Sequence, residues 1–348
     1  MTSRPSGTNA VRFGVIGVNH DHIYGMTDLL LDAGAELVSF YADEADLAAR
    51  FGERYSQARR ARDMAEILED DTIALVAGAA IADQRAGLGI SVMRYGKDYL
   101  SDKPGFTTLD QLAEARRVQR ETGRIYSICY SERLQNRATV KAGELVQAGA
   151  IGRPMQTVGL GPHRLNAPSR PRWFFERERY GGILADIGSH QVDQFLFFTG
   201  STSAEVVASQ VANIAHREHP GLEDFGDILL RGDRGTGYIR VDWFTPDGLG
   251  TWGDGRLTIL GTDGYIEVRK YVDIGGRPGG DHLFLVDRQH TRYIDCRDTE
   301  LPFGPQLLDD VRHRTETAMP QAHAFLASEL ALQAQAQAHH VQAAAVAA

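Results

Sequence analysis

Three polar residues on one predicted helix give the strongest indication of chemistry in this chain. The segment 181–200, GGILADIGSHQVDQFLFFTG, predicts a helix that begins after a glycine pair and ends at Gly200. Asp186, His190 and Asp193 occupy positions i, i+4 and i+7, so they share one helical face. Histidine titrates near neutral pH, and a carboxylate one turn away can fix its tautomer. This face is a candidate acid/base pair, although the spacing is also typical of a solvated ion pair.

A lysine that follows a predicted strand supplies a second candidate group. Residues 98–101 read as a buried strand, and Lys103 and Pro104 come shortly after it. The carboxyl ends of parallel strands face the crevice in which such sheets bind ligands. A lysine there could donate a hydrogen bond to a substrate hydroxyl and stabilise the alkoxide that develops from it. An isolated surface lysine would have no such meaning.

A glycine turn near the amino terminus indicates a dinucleotide site. Residues 11–16 read as a buried parallel strand, and Gly17 begins a turn that leads into a helix. Backbone N–H groups of such a turn, together with the helix amino terminus, can bind a pyrophosphate. The fingerprint is incomplete because Asn19 and His22 stand where two further glycines are usual. Asn19 tolerates a left-handed backbone, so the tight turn survives.

The triplet His20-Asp21-His22 has two other interpretations. The histidines could ligate a metal, but an i, i+2 spacing at a helix start does not aim both imidazoles at one point, so we expect no metal there. The triplet could also be a plain helix-start loop in which Asp21 interacts favourably with the helix dipole. The candidate cofactor contacts are Gly17, Asn19, His20 and His22.

An acidic residue after the second predicted strand is the candidate for ribose recognition. The strand covers residues 35–41, and Asp43 follows it at about the distance from the glycine turn that the dinucleotide fold requires. No Lys or Arg adjoins Asp43 in sequence, so the 2′-phosphate of NADP would meet negative charge. This weakly favours NAD over NADP. An exposed aspartate that caps the next helix explains the residue equally well.

The order of predicted elements indicates two domains. Strands alternate with helices over residues 1–126, which predicts an α/β Rossmann domain with a doubly wound parallel sheet. Residues 127–340 carry mostly strand-like segments with Asp-Gly turns at 247–248, 254–255 and 263–264. They predict an α+β domain with an open, mainly antiparallel sheet. Residues 341–348 are expected to fray.

Composition excludes several classes of partner. The chain has 348 residues and a net charge of −9 without a basic cluster, which argues against nucleic acid or an anionic membrane surface. No apolar run has membrane-spanning length, and the opening MTSRPSGTNA has no apolar segment of a secretory signal. Cys129 and Cys296 are far apart and have no CxxC partner, which predicts a cytoplasmic protein.

Three segments, in order, resemble the Gfo/Idh/MocA family of sugar and cyclitol dehydrogenases: GVIGVNHDH, SDKPGFTT and GGILADIGSHQVDQF. They are similar to the family's glycine turn, its Glu-Lys-Pro motif and its GG-x-x-x-D-x-G-x-H helix. The resemblance extends to about Ala338. Asp102 replaces the usual Glu, and Arg85 stands where the family often has His. Ala42 occupies the usual acidic position, one residue before Asp43.

The resemblance implies a set of site residues. Lys103, Asp186 and His190 match the family's catalytic positions, and Lys103 is also a candidate cofactor contact. The candidate substrate contacts lie in segments expected to border the crevice: Tyr130, Arg133, His163, Arg164 and Trp173. An indole such as that of Trp173 could stack on a sugar face or belong to the core.

The implied function is hydride transfer between NAD(P) and a secondary hydroxyl of a sugar, cyclitol or related polyol. Two alternatives stay open: a family glycosidase or eliminase that uses the NAD redox step transiently, and a non-catalytic regulator that senses a nucleotide or sugar. The resemblance also implies a homodimer or homotetramer built on the second sheet. Its predicted strand 237–244 has an apolar face with Ile239 and Val241 and a mixed face with Tyr238 and Phe244.

Overall fold

The computed structural model describes residues 10–341, which divide into two units. The described part of unit 1 comprises residues 10–102, 113–129 and 302–321, and that of unit 2 comprises residues 103–112, 130–301 and 322–341. The chain passes from unit 1 to unit 2 after residue 129, close to the single boundary predicted at residue 126. In addition, the segment 103–112 belongs to unit 2 and the segment 302–321 belongs to unit 1. Of the predicted tail 341–348, only Val341 lies within the described residues.

The helices and strands are numbered in chain order. The strands are β1 (Arg12–Ile16), β2 (Glu36–Tyr41), β3 (Arg59–Arg60), β4 (Leu75–Gly78), β5 (Asp98–Asp102), β6 (Tyr126–Cys129), β7 (Pro154–Pro162), β8 (Ala204–Ala212), β9 (Phe225–Gly232), β10 (Thr236–Asp242), β11 (Arg256–Gly261), β12 (Gly264–Arg269), β13 (His282–Asp287), β14 (Thr291–Asp295) and β15 (His339–His340). The helices are α1 (His22–Asp32), α2 (Ala45–Arg54), α3 (Ala65–Leu68), α4 (Ala82–Arg94), α5 (Leu109–Thr122), α6 (Ser131–Leu134), α7 (Arg137–Gln147), α8 (Arg177–Tyr180), α9 (Ile183–Asp186), α10 (Gly188–Thr199), α11 (Phe303–His313) and α12 (Gln321–Gln337). Two short 3-10 helices, Ala167–Ser169 and Arg172–Phe175, precede α8. No helix in the described part of the chain is both long and apolar enough to cross a membrane.

Unit 1 is built on a parallel sheet of six strands in the order β3-β2-β1-β4-β5-β6. Every residue of β4, β5 and β6 is buried, as expected for strands covered by helices on both faces. The predicted doubly wound sheet is therefore confirmed. The strand order reverses between β1 and β4, and open α/β sheets bind ligands beyond the carboxyl ends of the strands at such a point.

Unit 2 is built on a sheet of nine strands in the order β14-β13-β12-β11-β7-β10-β9-β8-β15. Most pairs are antiparallel, which confirms the mainly antiparallel sheet, but β7 pairs with β10, and β8 with β15, in parallel. Helix α10 packs against β7 and β10. On β10, Ile239 and Val241 are buried while Tyr238 is 38% exposed. One face of the sheet therefore supports the helices that carry the candidate site.

Several local predictions are wrong. The segment 181–200 forms two helices, α9 and α10, rather than one. The second helix ends at Gly200, as predicted, where φ is 67°. The sequence did not reveal the two-residue strand β3. Of the three Asp-Gly turns, only that at 263–264 joins adjacent strands, β11 and β12; the other two lie in the loop between β10 and β11. Short segments and loop turns carry too few residues for a periodic signal to decide them.

Candidate active site

Lys103 and Asp186 form a buried ion pair in unit 2. Lys103 is the first residue after β5, and its Nζ donates a hydrogen bond to Oδ1 of Asp186 at 2.8 Å. Their side chains are 5% and 12% exposed, respectively. Two separate sequence motifs thus supply the partners of one contact. The pair holds an ammonium donor in a site largely closed to water.

His190 lies one turn beyond Asp186, in the first turn of α10. Ile187, between α9 and α10, keeps right-handed helical dihedrals (φ −78°, ψ −39°), so the i, i+4 relation survives the break. His190 is 2% exposed, and the ring of Tyr130 lies edge-on to it with 6.1 Å between the centroids. A buried imidazole one turn from a carboxylate is suited to exchange a proton with a bound hydroxyl.

Asp193, the third residue of the predicted face, belongs to a different charge network. Its two oxygens accept hydrogen bonds from Nε and Nη2 of Arg133 at 2.6 and 2.7 Å, and Nε2 of His323 lies 2.8 Å from Oδ1. Burial would raise the pKa of Asp193, but Arg133 and His323 lower it to about 2. The predicted face therefore divides between two networks, and the guanidinium of the candidate substrate contact Arg133 is engaged by this carboxylate.

A second buried ion pair, which sequence reasoning missed, lies beside α10. Oε2 of Glu132, in α6, accepts hydrogen bonds from Nζ of Lys270 at 2.5 Å and from Nε2 of Gln191 at 2.7 Å. Glu132 is 2% exposed and Lys270 is 1% exposed. Burial would raise the pKa of Glu132, but the charges of Lys270 and His190 hold it below its usual range. No motif links these residues, so only the tertiary packing reveals the pair.

His163, the residue after β7, lies among aromatic rings. Its ring centroid is 4.6 Å from that of Trp252 and 5.4 Å from that of Trp243. Burial lowers the pKa of His163 to about 4, so the imidazole is neutral at pH 7. Nδ1 lies 3.1 Å from the carbonyl oxygen of Gly161, which can only accept, so Nδ1 carries the proton and Nε2 is an acceptor.

The remaining candidate substrate contacts also lie in unit 2. The hydroxyl of Tyr130 is 3.2 Å from Oγ of Ser328, and burial raises the pKa of this tyrosine above its usual range. Arg164 donates hydrogen bonds to two backbone carbonyls of the loop after β10. Trp173 is half-buried in a 3-10 helix beside Phe174. Tyr130, Arg164 and Trp173 therefore each make a polar or aromatic contact, and they lie in different segments of unit 2.

The Gly17 turn in unit 1 requires a glycine. Gly17 adopts φ +78°, and a Cβ there would lie 2.7 Å from Cβ of Ala80, which follows β4. Its N–H donates to the carbonyl of Tyr41 at the end of β2. The turn leads into α1, whose N-cap residue Asp21 makes no side-chain capping hydrogen bond. Because the turn lies where the strand order reverses, it fits the pyrophosphate position of a dinucleotide.

Two carboxylates follow β2 near this turn. Oδ1 of Asp43 accepts a hydrogen bond from the hydroxyl of Tyr41 at 2.5 Å, and Oε1 of Glu44 accepts one from Nδ2 of Asn19 at 2.7 Å. Within residues 10–341, neither carboxylate pairs with a Lys or Arg. Carboxylates at this strand end fit the hydroxyls of an adenosine ribose. Sequence reasoning identified Asp43, and the contact with Asn19 adds Glu44 as a second candidate.

Three basic side chains converge on Asp102 at the end of β5. Nδ1 of His22 is 2.9 Å from Oδ1, while Nδ1 of His20 and Nη2 of Arg85 are 3.4 and 3.0 Å from Oδ2. The prediction that the two imidazoles do not meet at one point is wrong, because His20 precedes α1 and does not follow helical spacing. Burial would raise the pKa of Asp102, but Arg85 and His22 hold it well below its usual range.

This cluster is an ion-pair network in unit 1. His20, His22 and Asp102 place three potential metal ligands within 4.8 Å of one another. The guanidinium of Arg85 already neutralises the carboxylate, and a divalent cation beside it would meet like charge. Two of the departures from the family pattern, Arg85 and Asp102, therefore form one ion pair.

Comparisons with known proteins identify relatives over most of the chain. The family model for the GFO/IDH/MocA C-terminal domain matches residues 139–267. The scyllo-inositol 2-dehydrogenase (NAD(+)) of Bacillus subtilis (strain 168) is 25% identical over 303 residues, which is 84% of each chain. The D-xylose dehydrogenase of Paenarthrobacter nicotinovorans is 25% identical over 143 residues, or 40% of this chain and 37% of that protein. A crystal structure from Erwinia carotovora atroseptica SCRI1043, provisionally named an oxidoreductase, is 47% identical, with a TM-score of 0.93 over 95% of this chain and 100% of that one.

Proposed function

This chain belongs to the Gfo/Idh/MocA family of oxidoreductases, and from that premise we propose that it is an NAD(P)-dependent dehydrogenase. Its substrate under this proposal is a sugar, cyclitol or related polyol that reacts at a secondary hydroxyl. The observation that carries the proposal is the buried Lys103–Asp186 pair one helical turn from His190. The Gly17 turn at the reversal of strand order provides the cofactor site.

Each residue of the site has a distinct role in this reaction. Bound nicotinamide supplies the hydride acceptor. Nζ of Lys103 donates a hydrogen bond to the reacting oxygen and stabilises the negative charge that develops there. His190 takes the hydroxyl proton as the general base. Asp186 holds Lys103 in position, and its charge one turn away stabilises the imidazolium of His190.

The preferred cofactor under this proposal is NAD. Asp43 and Glu44 are acceptors for ribose hydroxyls, and neither has a basic partner in the described chain. A 2′-phosphate beside two carboxylates would be repelled. Gly17, Asn19, His20 and His22 complete the proposed cofactor contacts, with the two histidines acting through Asp102 to shape the turn.

The outer face of the nine-stranded sheet is the proposed oligomer interface. Leu229 and Tyr238 are directly paired neighbours on β9 and β10 and are 40% and 38% exposed. Tyr265 and Tyr293 on β12 and β14 are each 40% exposed. An apolar face of this extent is typical of an association surface. The proposed assembly is a two-fold homodimer or homotetramer. Its proposed compartment is the cytoplasm, since Cys129 and Cys296 are free thiols.

Equilibrium titration with NAD+ and NADP+, followed by a turnover screen, tests the proposed function. The screen records NAD(P)H formation with scyllo-inositol, D-xylose and D-glucose. We expect NAD+ to bind more tightly than NADP+, and at least one polyol to yield NADH. A protein that binds NAD+ but forms no NADH from any of these substrates or from D-glucuronate would contradict the proposal.

A further inference from the structure

Glu132 carries a buried carboxylate oxygen that no donor satisfies in the part of the chain that the structure describes. Its Oε2 is bonded to Lys270 and Gln191, so the side chain is fixed. Its Oε1 is buried and makes no hydrogen bond within the described residues. An unsatisfied carboxylate oxygen in a closed site costs free energy unless a donor reaches it. Gln191, which holds Oε2, follows His190 in α10, so the carboxylate lies against the helix that carries the imidazole.

A second acceptor lies in the same region. The carboxylate of Glu132 interacts electrostatically with both His190 and His163. His163 holds its proton on Nδ1 toward Gly161, which leaves Nε2 as an acceptor. Trp252 is 43% exposed, and its ring lies 4.6 Å from that of His163 with the planes tilted by 58°, so it provides an aromatic surface for the carbon face of a polyol. Two acceptors beside an aromatic ring are complementary to a ligand that donates from several hydroxyls.

Three cations of this region are paired with carboxylates. Lys103 is paired with Asp186, and Lys270 with Glu132. Arg133 is paired with Asp193 through Nε and Nη2 of its guanidinium. A carboxylate on the ligand would therefore meet the oxygen of Glu132 without gaining a cation of its own, which is unfavourable in a closed site.

Two of the arginines that follow the site in sequence are also paired with carboxylates, and a third packs on an aromatic ring. Arg172 pairs with Glu176 on the surface, and Arg177 pairs with Glu223. Arg170 lies over the ring of Phe174 at 4.5 Å. Each of these arginines has a protein partner.

We propose that Glu132 is the specificity residue of the dehydrogenase site: its Oε1 accepts a hydrogen bond from a second hydroxyl of a neutral polyol, and it excludes the corresponding sugar acid. This inference rests on the proposed function and narrows its substrate class. Lys270 and Gln191 are positioning residues, because they hold the other oxygen of the carboxylate.

The test compares ligands that differ by one group. D-glucose and D-glucuronate differ only in a hydroxymethyl group and a carboxylate, and scyllo-inositol and D-xylose extend the neutral set. Binding to the NAD+-loaded protein is measured by calorimetry and saturation-transfer NMR, and turnover by NADH absorbance. The wild type is expected to bind at least one neutral polyol at least about tenfold more tightly than D-glucuronate, the size of one lost charge-assisted hydrogen bond.

The double variant Glu132→Gln/Lys270→Met keeps the pair free of net charge. The glutamine carbonyl can still accept from Gln191, while its NH2 group replaces the acceptor with a donor. We expect it to bind the preferred neutral polyol about tenfold to 100-fold more weakly and to lose its discrimination against D-glucuronate. Glu223→Gln is the matched control, since Glu223 is also buried and bonded to a basic and an amide side chain, Arg177 and Gln335. It should leave the ratio of the two affinities unchanged.

The outcomes separate the two proposals. A wild type that oxidises D-glucuronate in preference to every neutral polyol overturns the role of Glu132 and leaves the dehydrogenase assignment in place. A folded double variant with wild-type affinities also overturns it. A wild type that oxidises neither a neutral polyol nor D-glucuronate overturns both proposals. Circular dichroism and a thermal melt establish that the variants are folded.

Discussion

Two single variants, Lys103→Met and its matched control Lys97→Met, separate an effect on catalysis from an effect on stability. The two lysines flank β5, with Lys97 before its first residue and Lys103 after its last. Both are buried, at 3% and 5% exposure. Lys97 donates hydrogen bonds to the carbonyls of Asp70 and Ile73 at 2.7 and 3.0 Å, so it closes the amino end of the strand with no role at the site. Either substitution removes one buried ammonium group.

The expected losses of stability are similar, but the expected losses of activity are not. Lys103→Met leaves Asp186 without the partner at 2.8 Å, and breaking a buried pair typically costs about 3–5 kcal/mol. Lys97→Met leaves two buried carbonyls without a donor, at about 1–3 kcal/mol each. Removing a preorganised donor to a developing oxyanion lowers kcat by about 10²- to 10³-fold. Only Lys103→Met should show this second loss.

The assay measures the free energy of unfolding by urea titration and kcat by NADH formation with the preferred polyol, both at a temperature where every variant is folded. We expect Lys97→Met to retain kcat within a few-fold of wild type while it loses stability, and Lys103→Met to lose both. Asp186→Asn combined with Lys103→Met should recover part of the stability without recovering kcat. If the two single variants lose kcat in parallel, or if Lys103→Met keeps it, the catalytic role of Lys103 is refuted.

Three further predictions follow from the same account. His190→Ala should lower kcat about 10²-fold or more while the Kd for NAD+ changes little, because the imidazole acts on the substrate proton; near wild-type turnover would exclude that role. Asp43→Ala should weaken NAD+ binding by about 1.5–3 kcal/mol through the loss of charge-assisted hydrogen bonds, and tighter wild-type binding of NADP+ than of NAD+ would contradict the ribose assignment. Light scattering at micromolar concentration should give at least twice the mass of one chain, since Leu229 and Tyr238 expose an apolar sheet face; the mass of a single chain would mean that this face is solvated.

Periodicity and short motifs were sufficient to predict the parts of the fold that repeat. The alternation of buried strands with amphipathic helices gave the doubly wound sheet, and the residue types at Gly17 and along β10 gave the turn and the buried face. The Lys103–Asp186 contact was predictable only because each residue belongs to a recognisable motif. Motifs are less reliable for single turns and helix bounds, since two of the three Asp-Gly pairs do not join adjacent strands and the segment 181–200 forms two helices rather than one.

Contacts between residues without a motif were not predictable. Glu132 and Lys270 are 138 positions apart, and neither carries a periodic or spacing signal. Arg85 and Asp102 each depart from the family pattern, and the sequence does not indicate that their side chains pair with each other. Helical spacing does not predict that His20 and His22 converge on Asp102, because His20 lies before α1. Long-range pairing of charges depends on tertiary packing, which a single sequence does not encode locally.

Transfer of a substrate hydrogen to the nicotinamide tests the central claim most directly. The protein is incubated with NAD+ and perdeuterated D-glucose, scyllo-inositol or D-xylose, and the reduced cofactor is analysed by mass spectrometry. A dehydrogenase that acts through Lys103 and His190 is expected to yield NADH that carries one deuterium at C4, and the Lys103→Met and His190→Ala variants are expected to yield little of it. Reduced cofactor without deuterium, or full transfer by both variants, would contradict the account.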